Sequence, residues 1–254
     1  MATERLYAPR IRIHDVLERE RAFTVDLPIY RDNALVSPTS AHFKLSDPAG
    51  NDVIALTAVS IVANIATYSI SAVELPSTLS FGDGYMQHWR LTISGQTYEF
   101  RKPTSLARSA LYPVISDLDL EAEYSDLASI RPTSIGSSYQ QYIDEAWIQL
   151  IQRIRELGNL EYLIMSPQSL RAAHKNLTFY LIFKDMDSSG LGEGRYLDLA
   201  KEHRRQHEFD FKRLTFKYDM NQDGVTDDPH GGRSALGVFY TSAPPRVFSR
   251  RGRW

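Results

Sequence analysis

The segment KYDMNQDGVTDDPHGG, at residues 217–232, carries oxygen-bearing side chains at the spacing of a calcium-binding loop. The residues that match the ligand and glycine positions of such a loop are Asp219, Asn221, Asp223, Gly224 and Asp227. His230 stands at the last position, where a tight site needs a bidentate carboxylate, and Pro229 opposes the helix that should follow. We therefore predict a helix-terminating turn, with weak calcium binding as the alternative.

Two histidines, His203 and His207, lie four residues apart, a spacing that can place two imidazoles on one zinc ion. Their surroundings, EHRRQHE, lack the glutamate that follows the first histidine in HExxH metalloproteases. Both positions fall on the stripe of a predicted helix that faces other helices, so we predict buried or interface histidines. The segment DMDSSGLGEG at 185–194 matches a calcium loop less well, and we predict a connection between helices.

Catalytic motifs are absent from the sequence. It has no cysteine and no G-x-S-x-G segment, so thiolate and nucleophile-elbow chemistry are excluded. The glycines of GLGEGR, at 190–195, follow no predicted strand and therefore do not form a dinucleotide-binding loop. We predict that the protein is not an enzyme and uses no cofactor.

The length, apolar content and net charge of the chain limit the number of domains that can position these residues and the kinds of partner that they can bind. A chain of 254 residues with 43% apolar content can form two domains, and its formal net charge of −2 provides no general attraction to nucleic acid. The first residues, MATERLYAPRIRIHDVLERERAF, are charged throughout and do not have the pattern of a signal peptide or membrane anchor. We expect no association with a membrane.

Residues 22–103 show the two-residue alternation of half-buried strands. The alternating positions include Phe23, Val25, Leu27, Ala41, Phe43, Leu45, Trp89, Leu91, Ile93, Tyr98 and Phe100. Turn-forming segments separate them, among them SGQ at 94–96. About seven short strands at intervals of roughly ten residues predict an immunoglobulin-like β-sandwich.

Residues 134–228 change to the period of a helix. The first predicted helix has an apolar stripe at Ile143, Trp147, Leu150, Ile151, Ile154 and Leu157. The second begins with Ser166 as N-cap and Pro167 at the first position, and its apolar run makes it the most buried. The third runs from about Arg195 to Tyr218 and buries Tyr196 and Phe211, among others.

The predicted fold is α+β, with an N-terminal immunoglobulin-like β-sandwich, an antiparallel helical bundle and an extended C-terminal arm. The predicted divisions are an N-terminal segment at 1–21, the sandwich at 22–103, a connector at 104–133, the helical domain at 134–228 and the basic arm at 229–254. The connector segment 115–127 carries five acidic side chains and no basic ones, whereas residues 231–254 carry five arginines and no acid.

The C-terminal arm combines arginine with aromatic residues, the types that anchor protein interfaces. Its predicted partner-binding residues are Arg246, Phe248, Arg250, Arg251, Arg253 and Trp254. The alternative is a basic terminus without a partner.

The helical half, about residues 134–230, resembles the head-to-tail adaptor (connector) proteins of tailed bacteriophages. The resemblance lies in the order of YIDEAWIQLIQRIRELG, SPQSLRAAHKNLTFYLIF, YLDLAKEHRRQHEFDFKRLTFKYD, a D-x-N-x-D-G-V segment and an arginine-rich terminus. It implies a structural protein of the virion neck, present in the host cytoplasm during assembly. It also implies a ring of about twelve subunits that docks on the portal protein, extends the channel through which viral DNA passes, and provides the attachment surface for tail or neck proteins.

Two other functions remain open at the level of sequence. A calcium-responsive binding module would use the loop at Asp219. A receptor-binding or sugar-binding module of a virion would use the predicted sandwich.

Overall fold

A computed structural model of the chain describes residues 7–9, 11, 14–130, 138–188, 194–219, 223 and 225. The fold is mixed α+β, with strands in the first part and helices in the second. The strands are β1 (Ala8–Pro9), β2 (Asp15–Glu18), β3 (Phe23–Leu27), β4 (Ile29–Arg31), β5 (Ala34–Leu35), β6 (Ser40–Ser46), β7 (Asp52–Ala58), β8 (Ser60–Val62), β9 (Ile65–Ile70), β10 (Gly82–Ile93) and β11 (Gln96–Ala107).

The largest sheet has the strand order β2-β11-β10-β6-β7. β2 pairs with β11 in parallel, and the other pairs of this sheet are antiparallel. The long β10–β11 hairpin turns at Ser94 and Gly95, whose φ angles of 51° and 80° suit a two-residue turn that needs two left-handed residues. The turn predicted at SGQ is therefore confirmed.

Two three-stranded sheets, β3-β9-β8 and β1-β4-β5, accompany the five-stranded one. Phe43 of β6 packs against Trp89 of β10 and stacks on Tyr68 of β9, with ring centroids 4.9 and 4.7 Å apart. Val25 and Ile70 belong to the same buried cluster. The inward faces of the five-stranded sheet and of β3-β9-β8 thus share one hydrophobic core.

The strands extend beyond the predicted limits of 22–103. Residues 104–107 continue β11, where they pair with β2 at residues 15–18. Nine strands, β3 to β11, begin between residues 22 and 103, rather than about seven. The additional strands, such as β5 and β8, contain only two or three residues, which is too short for alternation to be visible in the sequence.

The helices are α1 (Asp117–Glu121), α2 (Leu127–Ile130), α3 (Gln140–Glu156), α4 (Arg171–Ser188) and α5 (Arg195–Lys212). The predicted stripe of α3 is buried from Ile143 to Ile154. Leu157 is an exception, because α3 ends at Glu156 and Gly158 turns the chain away with a φ of 78°. Leu157 is consequently 64% exposed.

The second predicted helix begins with a 3₁₀ turn at Pro167–Leu170 and continues directly as α4. Ser166 occupies the N-cap position, but its side chain makes no capping hydrogen bond. Pro167 occupies the first position, where its missing N–H costs no intrahelical hydrogen bond. α4 has nine buried residues, against six in α3 and five in α5, which confirms that it is the most buried helix.

The third helix is shorter than predicted. α5 begins at Arg195 as expected but ends at Lys212 rather than near Tyr218. Tyr218 instead forms an antiparallel bridge with Ile164, and the Met165 amide donates to the carbonyl of Lys217 at 2.8 Å. The chain after α5 is extended because these hydrogen bonds to the segment before α4 replace those of another helical turn.

Two apolar clusters fix the arrangement of the helices. One contains Ile143 near the start of α3, Met186 near the end of α4 and Tyr196 at the start of α5. The other contains Ile154 near the end of α3, Ala173 near the start of α4 and Phe211 near the end of α5. The start of α4 therefore packs beside the ends of α3 and α5. Among the described residues, no helix combines the length and the apolar character needed to cross a lipid bilayer.

Candidate functional sites

The Asp219 segment forms a hydrogen-bonded turn in the described residues. The Asp219 side chain accepts from the amide of Asp223 at 3.0 Å, and the Asp223 side chain accepts from the amide of Val225 at 2.7 Å. Asp219 is almost completely buried, and its own amide donates to the carbonyl of Leu163. Asp223 therefore accepts from the amide two residues ahead, as aspartates do in Asx turns, and Asp219 holds the Asp223 amide.

The predicted helix-terminating role of this turn is wrong, because α5 ends at Lys212 and an extended segment lies between. Two of the candidate calcium ligands, Asn221 and Asp227, lie outside the described residues. Within the described ranges, no group of three His, Asp or Glu side chains is placed to hold a metal ion.

His203 and His207 are buried on the inward face of α5, as predicted. His203 Nδ1 lies 2.8 Å from Asn176 Oδ1, and its Nε2 lies 2.9 Å from the hydroxyl of Tyr124. Asn176 uses its amide nitrogen to donate to Asp210, so its oxygen accepts from His203 Nδ1 and the Tyr124 hydroxyl donates to Nε2.

His207 is held in the same way. Its Nδ1 donates to the Ala173 carbonyl at 2.9 Å, and its Nε2 accepts from Arg153 at 3.2 Å. Burial lowers the pKa of both His203 and His207, so neutral imidazoles are favoured. Since all four ring nitrogens are used within the fold, the pair connects α5 to its neighbours.

Two of the five acidic residues of the connector form ion pairs with α4. Asp119 binds Arg171, and Glu123 lies 2.5 Å from Lys175, both cations being on α4. Asp117 accepts from the amide of Tyr139 at 3.0 Å. Sequence analysis identified the acidic segment but not its intramolecular partners. The predicted partner-binding residues of the arm, Arg246, Phe248, Arg250, Arg251, Arg253 and Trp254, lie outside the described residues.

A polar junction connects the five-stranded sheet to the end of α3. His14 Nε2 lies 2.7 Å from Ser105 Oγ, and the Ser105 hydroxyl donates to Asp83. Arg155, in the last turn of α3, donates to Ser105 at 3.3 Å and binds Glu161. Burial, followed by the positive charge of Arg155, lowers the pKa of His14 to about 4.

The junction contains Ser, His and Asp side chains but does not have the geometry of a catalytic triad. In a triad the carboxylate binds the imidazole nitrogen remote from the serine. Here Asp83 accepts from the Ser105 hydroxyl itself and lies 4.0 Å from the same His14 nitrogen that contacts Ser105. Ser105 is fully buried, so no substrate reaches its hydroxyl. The junction therefore joins the two parts of the fold.

A groove of about 270 Å³ opens on the outer face of the five-stranded sheet. Its centre is the cross-strand row Lys44, His88 and Arg101, which are register partners on β6, β10 and β11. The adjacent row Phe43, Trp89 and Phe100 faces the core, so side-chain alternation directs the basic row outward. Further lining residues are Asp52, Leu56, Arg90 and Glu99.

Sequence analysis missed both the groove and the junction. Alternation identified the inward residues of each strand, but the outward residues 44, 88 and 101 are far apart in sequence. They meet only through strand register, which alternation alone does not determine.

Comparisons with known proteins provide no family assignment. The sequence matches no known family profile and no curated protein. The solved structures with local similarity include an engineered protein, with 11% identity and a TM-score of 0.30, and the endo-β-1,4-mannanase of Thermotoga petrophila, with 8% identity and a TM-score of 0.28. The matches cover 42% and 43% of this chain and 21% of each of those chains. Similarity at these scores carries no information about the fold or function of this chain.

Proposed function

We propose that the chain is a structural component of a bacteriophage virion, a head-to-tail adaptor of the neck. In this role it forms a homo-oligomeric ring, of about twelve subunits by resemblance to the adaptor family, that docks on the portal and offers a surface to tail or neck proteins. The order of α3, α4 and α5 along the chain is the part of the fold that corresponds to the resemblance.

The observation that carries the proposal is the unlike charge of two helix surfaces. Exposed cations lie along α5 at Arg195, Lys201, Arg204, Arg205 and Lys212. They outnumber the exposed acidic residues of this helix, Asp198 and Glu202, which pair with Lys201 and Arg205. On α3 the exposed charged residues are Asp144 and Glu156. The two arginines of α3 point to partners within the chain, Arg153 to Glu208 and Arg155 to Glu161.

A closed ring needs this asymmetry. Its interfaces are heterologous, so each subunit must present two different surfaces that complement each other on neighbouring copies. The basic surface of α5 and the acidic surface of α3 provide such a pair, in place of the acidic connector, where α4 pairs with Asp119 and Glu123.

The finer features of the fold belong to the same proposal. We assign the strands to an immunoglobulin-like sandwich, because two sheets share one core across Phe43 and Tyr68. We assign α3, α4 and α5 to an antiparallel bundle, because the start of α4 packs beside the ends of both neighbours. The extended basic arm at 229–254 is assigned from its sequence, as a segment that orders on the portal or on a neighbouring subunit.

Native mass measurement of the full chain, alone and with the portal protein of the same phage, tests the proposal. We expect a ring or a portal complex that is weakened by Asp144→Arg and by Arg205→Glu. Arg31→Glu, at an exposed site on β4, is the control and should assemble normally. A chain that stays monomeric with and without portal contradicts the proposal.

Deletion of residues 244–254 tests the arm separately. The shortened chain should fold normally but bind the portal poorly, because it lacks Arg246, Phe248 and Trp254. Normal portal binding and tail attachment by the shortened chain would assign the arm no role in docking.

A further inference from the structure

In the described part of the chain, Arg101 is the member of the outward row whose charge no ion pair balances. Lys44 has a partner in Asp52, at 2.5 Å, whereas no salt bridge joins Arg101 to another residue of the described chain. His88 lies between them, and its Nε2 is 3.0 Å from the Ser46 hydroxyl. Burial, followed by the charges of Arg101 and Lys44, lowers the pKa of His88, so its neutral form is favoured. One positive charge, that of Arg101, is therefore left in the groove for an anionic ligand.

The rest of the groove depends on two irregularities in β7. Ile54 pairs with Leu45 and lies in the core, and a register shift occurs on each side of it. Asp52 and Leu56 are two residues from Ile54 in either direction, so regular alternation would direct both into the core. The shifts turn both outward into the groove, where Leu56 is 43% exposed. β-Bulges are common next to functional sites, where they change the direction in which a side chain points.

We propose that the groove binds a carboxylate-bearing sugar, the uronic-acid unit of an acidic polysaccharide. The Arg101 guanidinium would bind the sugar carboxylate, and Leu56 would contact an apolar edge of the ring. Asp52 and Glu99, which carry ion pairs with Lys44 and Arg90, would accept hydrogen bonds from sugar hydroxyls.

The mixed lining favours this ligand over a simple oxyanion. Inorganic phosphate needs hydrogen-bond donors only and carries more negative charge than Arg101 alone balances, whereas Asp52 and Glu99 offer acceptors. A uronate has one carboxylate for the unpaired Arg101 and several hydroxyls that both donate and accept. A volume of about 270 Å³ matches a single sugar unit of a longer chain rather than a large ligand.

This binding site is independent of the proposed ring interface. The groove lies on β6, β7, β10 and β11, whereas the proposed ring surfaces lie on α3 and α5. A monomeric chain could still bind the sugar, and an assembled ring could fail to bind it, so the two proposals succeed or fail separately.

The test is calorimetric titration of the full chain with trigalacturonic acid, with its fully methyl-esterified form as the matched ligand control. We expect saturable binding of the acid. Loss of the carboxylate in the ester, or of the guanidinium in Arg101→Gln, should weaken binding by about tenfold or more, as for other charge-assisted pairs. Arg205→Gln, an exposed arginine on α5, should bind normally.

Three outcomes would overturn the inference. The first is no binding of the acid at millimolar concentration. The second is equal binding of acid and ester, or equal binding by the Arg101→Gln variant with an unchanged melting temperature. The third is competition by inorganic phosphate at the same concentration, which would assign the groove to simple oxyanions instead.

Discussion

The guanidinium of Arg155, at the end of α3, binds the carboxylate of Glu161, whose side chain is only 3% exposed. The same guanidinium reaches Ser105 of β11, so one side chain connects the helices to the sheet. Burial raises the pKa of Glu161, and the charge of Arg155 opposes that rise. The pair therefore keeps a buried carboxylate ionised where the two halves of the fold meet.

Arg155→Met should destabilise the protein strongly. Methionine preserves most of the apolar stem of the Arg155 side chain but leaves Glu161 buried without its cation. This change should lower the free energy of unfolding by about 3–5 kcal/mol. Urea unfolding at pH 7 measures the loss. Arg21→Met is the control, because Arg21 pairs with Glu18 at the surface and should contribute no more than about 1 kcal/mol. Equal effects of the two substitutions would show that the junction is not a buried contact.

The raised pKa of Glu161 has a pH consequence in this variant. A carboxyl whose pKa is higher in the folded state stabilises that state at low pH, and this contribution is lost as the pH rises. The Arg155→Met variant should therefore recover stability as the pH falls from 7 towards 5. A stability difference between Arg155→Met and the native chain that stays constant from pH 7 to 5 would contradict a role for the Glu161 carboxylate.

His14 should make stability fall in acid. Its pKa is about 4 in the fold and 6.5 ordinarily, so the unfolded chain takes up a proton in the interval between them. The contribution is fully present above pH 6.5 and is lost as the pH falls towards 4, with a total on the order of 3 kcal/mol. Urea unfolding between pH 7 and 4.5 should show a shallower pH dependence for His14→Gln than for the native chain. Parallel curves would exclude His14 as the titrating group.

Phe211→Ala should lower the free energy of unfolding by about 3–5 kcal/mol, the usual loss when a large aromatic side chain is removed from a core. Phe211 is 7% exposed and lies under the Arg153 guanidinium, 4.2 Å from its ring centroid. Phe209, on the same helix, is 51% exposed and provides the control, since Phe209→Ala should change stability by less than about 0.5 kcal/mol. Thermal unfolding of both variants measures these changes in stability. An unchanged melting temperature for Phe211→Ala would contradict the burial of the Phe211 side chain.

The Asp219 turn should bind calcium no more tightly than millimolar, the range of incomplete oxygen cages. Both described carboxylates already accept backbone hydrogen bonds. Calorimetric titration of the native chain with calcium measures the affinity, and the Asp223→Ala variant provides the comparison. Micromolar binding that disappears in Asp223→Ala would establish a calcium site instead of a turn.

Much of the local structure could be predicted because it depends on neighbouring residues. Alternation identified Phe43, Trp89 and Phe100 as inward residues, and the helical period identified the stripe from Ile143 to Ile154. Ser166 and Pro167 marked the start of a helix by their positions, although the Ser166 side chain makes no capping hydrogen bond. Each of these signals is contained within a few turns of chain.

The sequence by itself determined which residues are inward, where helices begin and which chemistry is excluded, but tertiary structure decided the sites. α5 stops at Lys212 because Ile164, far away in sequence, pairs with Tyr218. The groove depends on the register of four strands and on two shifts beside Ile54. Lys175 neutralises Glu123 only because α4 packs there. Such partners are set by packing between distant segments, and local periodicity contains no information about them.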